Sequence, residues 1–362
     1  MSEIVLRGVG RAFGATQAVQ PTDFTFPDGS VTCLLGPSGC GKTTLMRMIA
    51  GLDTPTGGRI LFDGRDVTGK PARDRDVAMV FQYPVMYRTL SVAENVELAL
   101  RDDRRLSAAG RRARVDEVLE VMQLQDRRAA GIDALDVGTR QRVAVARAVA
   151  RDCAVILFDE PTTNVEVHAK TQLIRAFKQF RARLRQTIIY VTHDQTEAMT
   201  LADRIALMRD GAITQCDAPH ALYDRPESAF GGWFLGNPGM NFLEPRPQGG
   251  VARFDGFPSP FRLPDGDPEG LQLGIRPERI LVGPAGALPV PAQVLRRAIT
   301  VGGQYLLLLR AGSATLRART PPRAPFAPGD TVSIECPISH AAFFRHGQRL
   351  VAQPRMTEDV HA

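Results

Sequence analysis

The segment Gly36-Pro37-Ser38-Gly39-Cys40-Gly41-Lys42-Thr43 satisfies the pattern G-x-x-x-x-G-K-[ST], and it constrains the fold more than any other stretch of the chain. An apolar run, Val31 to Leu35, leads into it, and Thr44 to Ala50 continues in residues suited to a helix. A strand, a glycine-rich loop and a helix in that order let backbone N–H groups approach phosphate oxygens, with the helix amino terminus adding a favourable field. Lys42 is placed to reach β- and γ-phosphates, and the Thr43 hydroxyl to ligate Mg²⁺. Gly36 through Thr44 are therefore the candidate nucleotide-binding residues. Cys40 lies inside the loop near a helix amino terminus, a setting that lowers thiol pKa; a tolerated small residue is the plainer reading.

The rest of the chain agrees with an α/β domain followed by something different. Val155 to Phe158 and Ile188 to Thr192 are apolar runs of the kind buried on both faces of a parallel sheet. Asp28-Gly29 marks a turn between Phe24–Phe26 and Val31. The stretch from Leu98 to Arg128 reads as helix, with Val115, Val118, Leu119 and Met122 at helical spacing. Near Gly236-Asn237-Pro238-Gly239 the composition shifts, and strand-like pieces (Leu271 to Ile275, Tyr305 to Leu309, Thr331 to Cys336) alternate with turns. We expect an ATP-binding domain over 1–236 and a small all-β domain over 237–362, with Pro354 to Ala362 a frayed tail.

No stretch approaches the ~18 apolar residues of a membrane span, and Met1-Ser2-Glu3-Ile4 lacks the features of a secretory signal. The five cysteines (Cys33, Cys40, Cys153, Cys216, Cys336) are scattered and show no CxxC spacing, which argues against a disulfide framework or zinc site. Of 45 basic residues only four are lysine, and the net charge is +6. Nucleic-acid binding is one reading of that balance; arginine usage in a phosphate-binding fold is the plainer one.

Val155-Ile156-Leu157-Phe158-Asp159-Glu160 is an apolar strand ending in two acids, where ligands of α/β sheets bind. Asp159 is placed to hold a magnesium shell and Glu160 to activate a water. With these residues the stretch from Gly36 to about Asp203 resembles the nucleotide-binding subunit of ABC transporters. The resemblance implies further roles. Gln82 would touch Mg²⁺ and the water and sit against a membrane subunit; His193, in Tyr190-Val191-Thr192-His193-Asp194, would contact the γ-phosphate. Phe13 would stack on adenine. Leu135 to Ala150 would be the signature helix, with Asp136 and Gly138 facing ATP held by a second ATPase subunit. Gly236-Asn237-Pro238-Gly239-Met240-Asn241-Phe242 and Leu273-Gly274-Ile275-Arg276-Pro277-Glu278 resemble the carbohydrate-type importers, those for maltose, glycerol 3-phosphate or glycerol, whose carboxy-terminal domain is OB-like and regulatory.

That resemblance implies ATP and Mg²⁺ as cofactors and a peripheral position on the cytoplasmic face of the plasma membrane. Its partners would be two membrane-spanning permease subunits, a second ATPase subunit in a homo- or heterodimer, an external binding protein indirectly, and no nucleic acid. Two departures stand out. The family's LSGGQ reads Leu135-Asp136-Val137-Gly138-Thr139. An Asp facing phosphate at ~4 Å costs about 4 kcal/mol at an effective dielectric near 20, although Asp is also a good helix cap. The family's S-x-L-D reads Thr163-Asn164-Val165-Glu166. The altered signature keeps open a catalytically weak regulatory partner; a soluble ATPase acting on nucleic acid is a second alternative, which the importer-like carboxy-terminal motifs argue against.

Overall fold

The computed structural model describes the chain apart from residues 1, 164, 182–185, 249–250, 264–266, 301, 323, 352–354 and 357–362. The chain divides into two compact units, Met1–Leu222 and Tyr223–Ala362.

In the first unit, β1 (Ile4–Phe13) and β2 (Thr16–Phe26) form a hairpin, and β3 (Val31–Leu35) runs fully buried into the glycine-rich loop and α1 (Lys42–Ala50). Then follow β4 (Gly57–Phe62), β5 (Arg65–Asp66), β6 (Val77–Val80), and the helices α2 (Val92–Glu97), α3 (Ala108–Val121) and α4 (Val137–Ala150). The unit continues with β7 (Val155–Asp159), α5 (Val167–Arg181), β8 (Thr187–Thr192), α6 (Gln195–Leu201), β9 (Arg204–Arg209) and β10 (Ala212–Asp217). Two sheets result: an antiparallel one ordered β2-β1-β4-β5, and a six-stranded one ordered β10-β9-β3-β8-β7-β6. The five strands from β9 to β6 are parallel, and β10 returns antiparallel on β9. The apolar runs read as doubly buried strands are β3, β7 and β8, the three central parallel strands, and every residue of each is buried. Ile4, Leu6 and Phe26 from one sheet meet Leu34, Leu157 and Val191 from the other around Leu45, Met48 and Ile49 of α1.

The stretch expected as one helix over 98–128 is broken. A 3₁₀ turn, Leu98–Leu100, ends it early, α3 spans only Ala108–Val121, and a second 3₁₀ turn covers Gln125–Arg127. The cause is local capping. Asp103 accepts from the Arg105 backbone N–H, and Ser107 caps α3 by accepting from Gly110 N.

The helix α7 (Pro219–Asp224) carries the chain into the second unit, where α8 (Ala229–Phe234) precedes strands β11 (Asn241–Leu243), β12 (Arg246–Gln248), β13 (Val251–Arg253) and β14 (Phe261–Arg262). After these come β15 (Leu271–Ile275), β16 (Leu281–Pro284), β17 (Val290–Ile299), β18 (Tyr305–Ala311), β19 (Ala314–Thr320), β20 (Thr331–Glu335), β21 (Ala341–Arg345), β22 (Gln348–Arg349) and β23 (Arg355–Met356). They form three antiparallel sheets, β11-β15-β21-β22, β12-β13-β14-β23 and β16-β20-β17-β18-β19, around Phe254, Phe261, Phe343 and Leu307. The division falls ahead of the expected boundary at 236. Tyr223 donates to Glu278 at 2.7 Å and lies under the Arg276 guanidinium, while Arg276 also donates to Gly232 O at 2.9 Å. Within the expected tail, Arg355–Met356 pairs with Phe261–Arg262, and the other residues lie outside those described.

Candidate active site

Three neighbouring strands end together. Leu35 of β3 lies opposite Thr192 of β8, and Asp159 of β7 lies opposite Val191. The loop after β3, the Asp159-Glu160 pair after β7 and His193 after β8 therefore emerge at one sheet edge, the carboxyl ends of the strands.

The loop closes tightly. Gly41, the residue before α1, has φ 101°, and a Cβ built there would lie 2.5 Å from the Ala18 carbonyl of β2, so no larger residue fits. Lys42 is only 4% exposed. Its Nζ donates to the carbonyls of Gly36 and Pro37, each at 2.9 Å, which holds the amine across the loop's mouth. Cys40 is buried, and burial pushes its thiol up despite the lowering effect of Lys42. The lowered pKa that a helix amino terminus would confer is thus not found, and Cys40 reads as a packed small residue.

Thr43 Oγ1 donates to Asp159 Oδ1 at 3.0 Å. Burial pushes the Asp159 carboxyl above the usual range, against the lowering effect of the Thr43 bond. The hydroxyl and carboxylate form an all-oxygen donor pair that suits a hard divalent cation completed by phosphate and water oxygens. Among the described residues no group of three or more His, Cys, Asp or Glu could hold an ion by itself, so such a cation would have to share oxygens with its nucleotide.

Glu160 has φ 44°, a strained conformation for a side chain of its size. Its Oε2 accepts from Thr163 Oγ1 at 3.0 Å and lies 3.0 Å from His193 Nδ1. The histidine is half exposed, whereas the glutamate is mostly covered. A carboxylate and an imidazole thus face the same space beside the phosphate loop.

The remaining candidates lie around this centre. β6 pairs with β7 up to Val80 opposite Phe158, so Gln82 follows β6 at the level where Glu160 follows β7. Its loop is pinned by Gln141, which donates to Phe81 O at 3.2 Å, and by Arg147, which donates to Val85 O at 2.7 Å. The buried Asn95 accepts from Tyr87 N and donates to the carbonyls of Tyr87 and Leu90. Phe13 ends β1, half exposed, with the Arg11 guanidinium 4.6 Å from its ring centre. Asp136 is the amino-terminal cap of α4: its two oxygens accept from Thr139 N at 2.8 Å and Thr139 Oγ1 at 2.7 Å. Those bonds hold its carboxyl below the usual range. Gly138 meets α5 instead of open space, since a Cβ there would lie 2.6 Å from Ala169 Cβ. Val137 is 51% exposed. In the other altered loop Asn164 lies outside the described residues, and Glu166 is exposed.

One part of the site was missed from sequence. Asp194-Gln195-Thr196-Glu197 looks like a capping pattern, which would leave the glutamate at the surface. Asp194 does cap α6, accepting from Thr196 N at 2.7 Å, but Glu197 turns inward and is fully buried. It accepts from Thr162, from Tyr190 at 3.0 Å and from Thr192 at 2.9 Å, and it pairs with Lys170 at 2.7 Å.

A lysine-bearing phosphate loop facing a strand-end Asp-Glu pair defines a P-loop ATPase. A model of the ABC transporter family matches residues 19–163, and one of the TOBE domain matches residues 273–344. The chain is 40% identical over 348 residues to the sulfoquinovosyl glycerol transport ATP-binding protein of Agrobacterium fabrum, covering 92% of this chain and 95% of that one. It is 38% identical over 309 residues to the sn-glycerol-3-phosphate import ATP-binding protein of Jannaschia sp., covering 85% and 87%. Among solved structures, the dimeric bacterial ABC transporter cassette MJ0796 matches with a TM-score of 0.54 at 29% identity, over 60% of this chain and 98% of that one. A post-hydrolysis state of the same cassette, bound to ADP and Pi, matches with a TM-score of 0.53 at 28% identity. The chain belongs to the ABC transporter family, as an ATP-binding, ATP-hydrolysing subunit whose sequence continues from the ATPase unit into a TOBE domain.

Proposed function

We propose that this subunit energises import of a small carbohydrate, polyol or polyol phosphate from the cytoplasmic face of the membrane. The observation that carries the ATPase part is the convergence of Lys42, Thr43, Asp159, Glu160 and His193 at one sheet edge. Gly36 and Pro37 open the loop, Ser38, Gly39, Cys40, Gly41 and Thr44 cradle the phosphates with backbone N–H groups at the start of α1, and Lys42 neutralises the β- and γ-phosphates. Thr43, Asp159 and Gln82 would hold the Mg²⁺ shell. Bound Mg²⁺ supplies charge neutralisation for the transferring phosphoryl group. Glu160 takes a proton from water as its oxygen attacks the γ-phosphorus and the bond to the β-phosphate oxygen breaks; His193 orients Glu160 and donates to the γ-phosphate. Phe13 stacks on adenine. Asp136, at the head of α4, is presented to the nucleotide of the facing ATPase subunit, while Gly138, packed against α5, would offer it only a backbone N–H.

The substrate class rests on the named relatives. The partner reading has its own support. A groove of about 520 Å³ beside the Gln82 loop is lined by Leu52, Met79, Phe81, Val85, Tyr87 and Ala148. Val85 and Tyr87 are more than half exposed there, and Arg73, Asp102, Arg147 and Arg151 line the same groove, a mixed apolar and charged surface suited to an amphipathic helix of a membrane-spanning subunit. Among the described residues no helix is long and apolar enough to cross a membrane. Because it adjoins the Gln82 loop, this groove is where we place the permease contact, with the external binding protein acting only through the permeases. The deciding experiment is Glu160→Gln in the assembled transporter. ATP binding should persist while hydrolysis falls at least ~100-fold, measured as phosphate release; undiminished hydrolysis would overturn the assignment of the base.

A further inference from the structure

His193 is a weakly anchored residue on its own account. Its ring is half exposed and bonds Glu160 at 3.0 Å. Its position must come from its chain neighbours, and both of them belong to one buried polar network. On one side, the Thr192 hydroxyl donates to Glu197 at 2.9 Å and accepts from Asp194 N at 2.9 Å. On the other, Asp194 caps α6 through Thr196 N and Glu197 N and takes an ion pair from Lys170. Glu197 gathers the rest. It is 0% exposed, accepts from Tyr190 on β8, and pairs with Lys170 on α5 at 2.7 Å. Its other donor is Thr162, two residues after Glu160.

We infer that Glu197, together with Lys170, is a positioning residue that fixes the His193 loop against the Glu160 loop so that the two side chains meet in hydrolytic register. The inference rests on the reading of Glu160 and His193 given above. Four donors converge on one carboxylate, one from the glutamate loop, two from the strand that leads to the histidine, and one from α5. A buried carboxylate is costly unless paired and hydrogen-bonded, and this one is both. Such an ion pair adds little net stability over apolar packing of the same volume, so stability alone does not account for it. What it supplies is a common anchor for two loops that carry reacting groups. Lys170 extends the anchor, since its ammonium bridges Glu197 and Asp194 and thereby grips the His193 loop before and after the α6 cap. The cation also sits among opposite charges, and its hydrogen bonds to Asp194 and Glu197 outweigh burial in keeping it charged.

The test uses the transporter assembled with its membrane subunits and partner ATPase. Turnover, ATP affinity by displacement of a fluorescent ATP analogue, and the thermal midpoint are measured for Glu197→Gln, Lys170→Met and Lys170→Arg, each alone and on a His193→Ala background. Misplacement of a reacting group by ~1 Å costs about 100-fold, so Glu197→Gln and Lys170→Met should lower kcat by about 10- to 100-fold. ATP affinity should stay within about threefold, because the phosphate loop is untouched. Lys170→Arg should return kcat to within about threefold, its guanidinium spanning the same two carboxylates. On the His193→Ala background, Glu197→Gln should change the residual rate by less than about twofold, because the residue it positions is gone. A full independent loss on that background would overturn the inference, as would unchanged kcat in the single variants. So would a joint collapse of kcat, affinity and thermal midpoint that Lys170→Arg fails to rescue. If Lys170→Met does not assemble, Thr162→Val removes one donor without changing charge and is judged by the same criteria. Glu160→Gln is run alongside: if it hydrolyses normally the base assignment fails, whereas coupling of Glu197 to His193 is read from the double variants.

Discussion

Asp159 shows how a single side chain can oppose stability for the sake of chemistry. Burial pushes its carboxyl up, so the folded chain holds that proton to higher pH than the unfolded chain does. The sign follows directly. Stability linked to Asp159 is fully present below the unfolded value of about 3.9 and is lost as pH rises through the raised folded value. At neutral pH the ionised group is therefore a net cost that a bound divalent cation would offset. Asp159→Asn, which can still accept from Thr43, should raise the thermal midpoint by about 2–4 °C at pH 7.5 and leave it unchanged near pH 3.5. It should also abolish the stabilisation that Mg-ATP gives the parent protein. Differential scanning fluorimetry at the two pH values, with and without Mg-ATP, decides it; a lower midpoint at pH 7.5 would contradict the linkage. Glu160 is a second case, held at φ 44° between the Val191 carbonyl, which its N–H reaches at 3.0 Å, and the His193 ring.

Among the elements, the helix α4 carries two demands at its amino end. Asp136 caps it with both oxygens on Thr139, and Gly138 allows α5 to approach. Read from sequence, Asp136 had two possible roles, a charge facing phosphate and a helix cap; in the fold it makes the cap. The Gly138 contact was not legible at all, because nothing in Leu135–Thr139 reveals that Ala169 lies opposite. It predicts that Gly138→Ala destabilises the ATPase unit by about 1–3 kcal/mol, despite alanine's better helix propensity, since a Cβ at 2.6 Å cannot be absorbed by a rotamer change. Ala169→Gly in the same chain should recover most of the loss. Urea unfolding followed by circular dichroism would show both effects as shifts of midpoint, and a neutral Gly138→Ala would refute the contact. The strands tell the opposite story about legibility. β3, β7 and β8 were readable as doubly buried because an unbroken apolar run has few other homes, and the phosphate loop was readable because its spacing serves the ligand directly. The helix expected over 98–128 broke at Asp103 and Ser107, where short side chains bond to the backbone and outbid the apolar periodicity. Glu197 gave no sequence signal for the related reason that a capping pattern and an inward-turned carboxylate share the same spacing.

For the whole molecule, the question is what kind of pair it forms, and we expect it to work beside a different ATPase chain. In the family each composite site takes a phosphate loop from one subunit and a signature from the other. This chain's own loop, acids and histidine are assembled, whereas the surface it would offer a neighbour is changed: the Asp136 carboxylate at the head of α4, Val137 half exposed beside it, and an exposed Glu166. Thr139 bonds both Asp136 oxygens, and Arg142 in turn donates to the Thr139 hydroxyl at 3.1 Å, so the carboxylate is tied at the helix head and kept ionised. A homodimer would set that negative charge and the added valine side chain against both nucleotides. Each close like-charge pair costs about 4 kcal/mol at an effective dielectric near 20, and the cost would be paid twice per dimer. A heterodimer confines it to the partner's site and leaves the site built on Lys42 and Glu160 facing the partner's signature. Native mass spectrometry of the intact transporter should therefore count one copy of this chain and one of a second ATPase. Two copies of this chain with no other would end the proposal. In the heteromeric transporter, Asp136→Ser with Val137→Gly should raise hydrolysis at the partner's phosphate loop by at least ~10-fold, equivalent to recovering about 1.4 kcal/mol. With Lys42→Ala silencing this chain's own site, phosphate release reports that gain alone, and an unchanged rate would show that the altered signature does not limit the facing site.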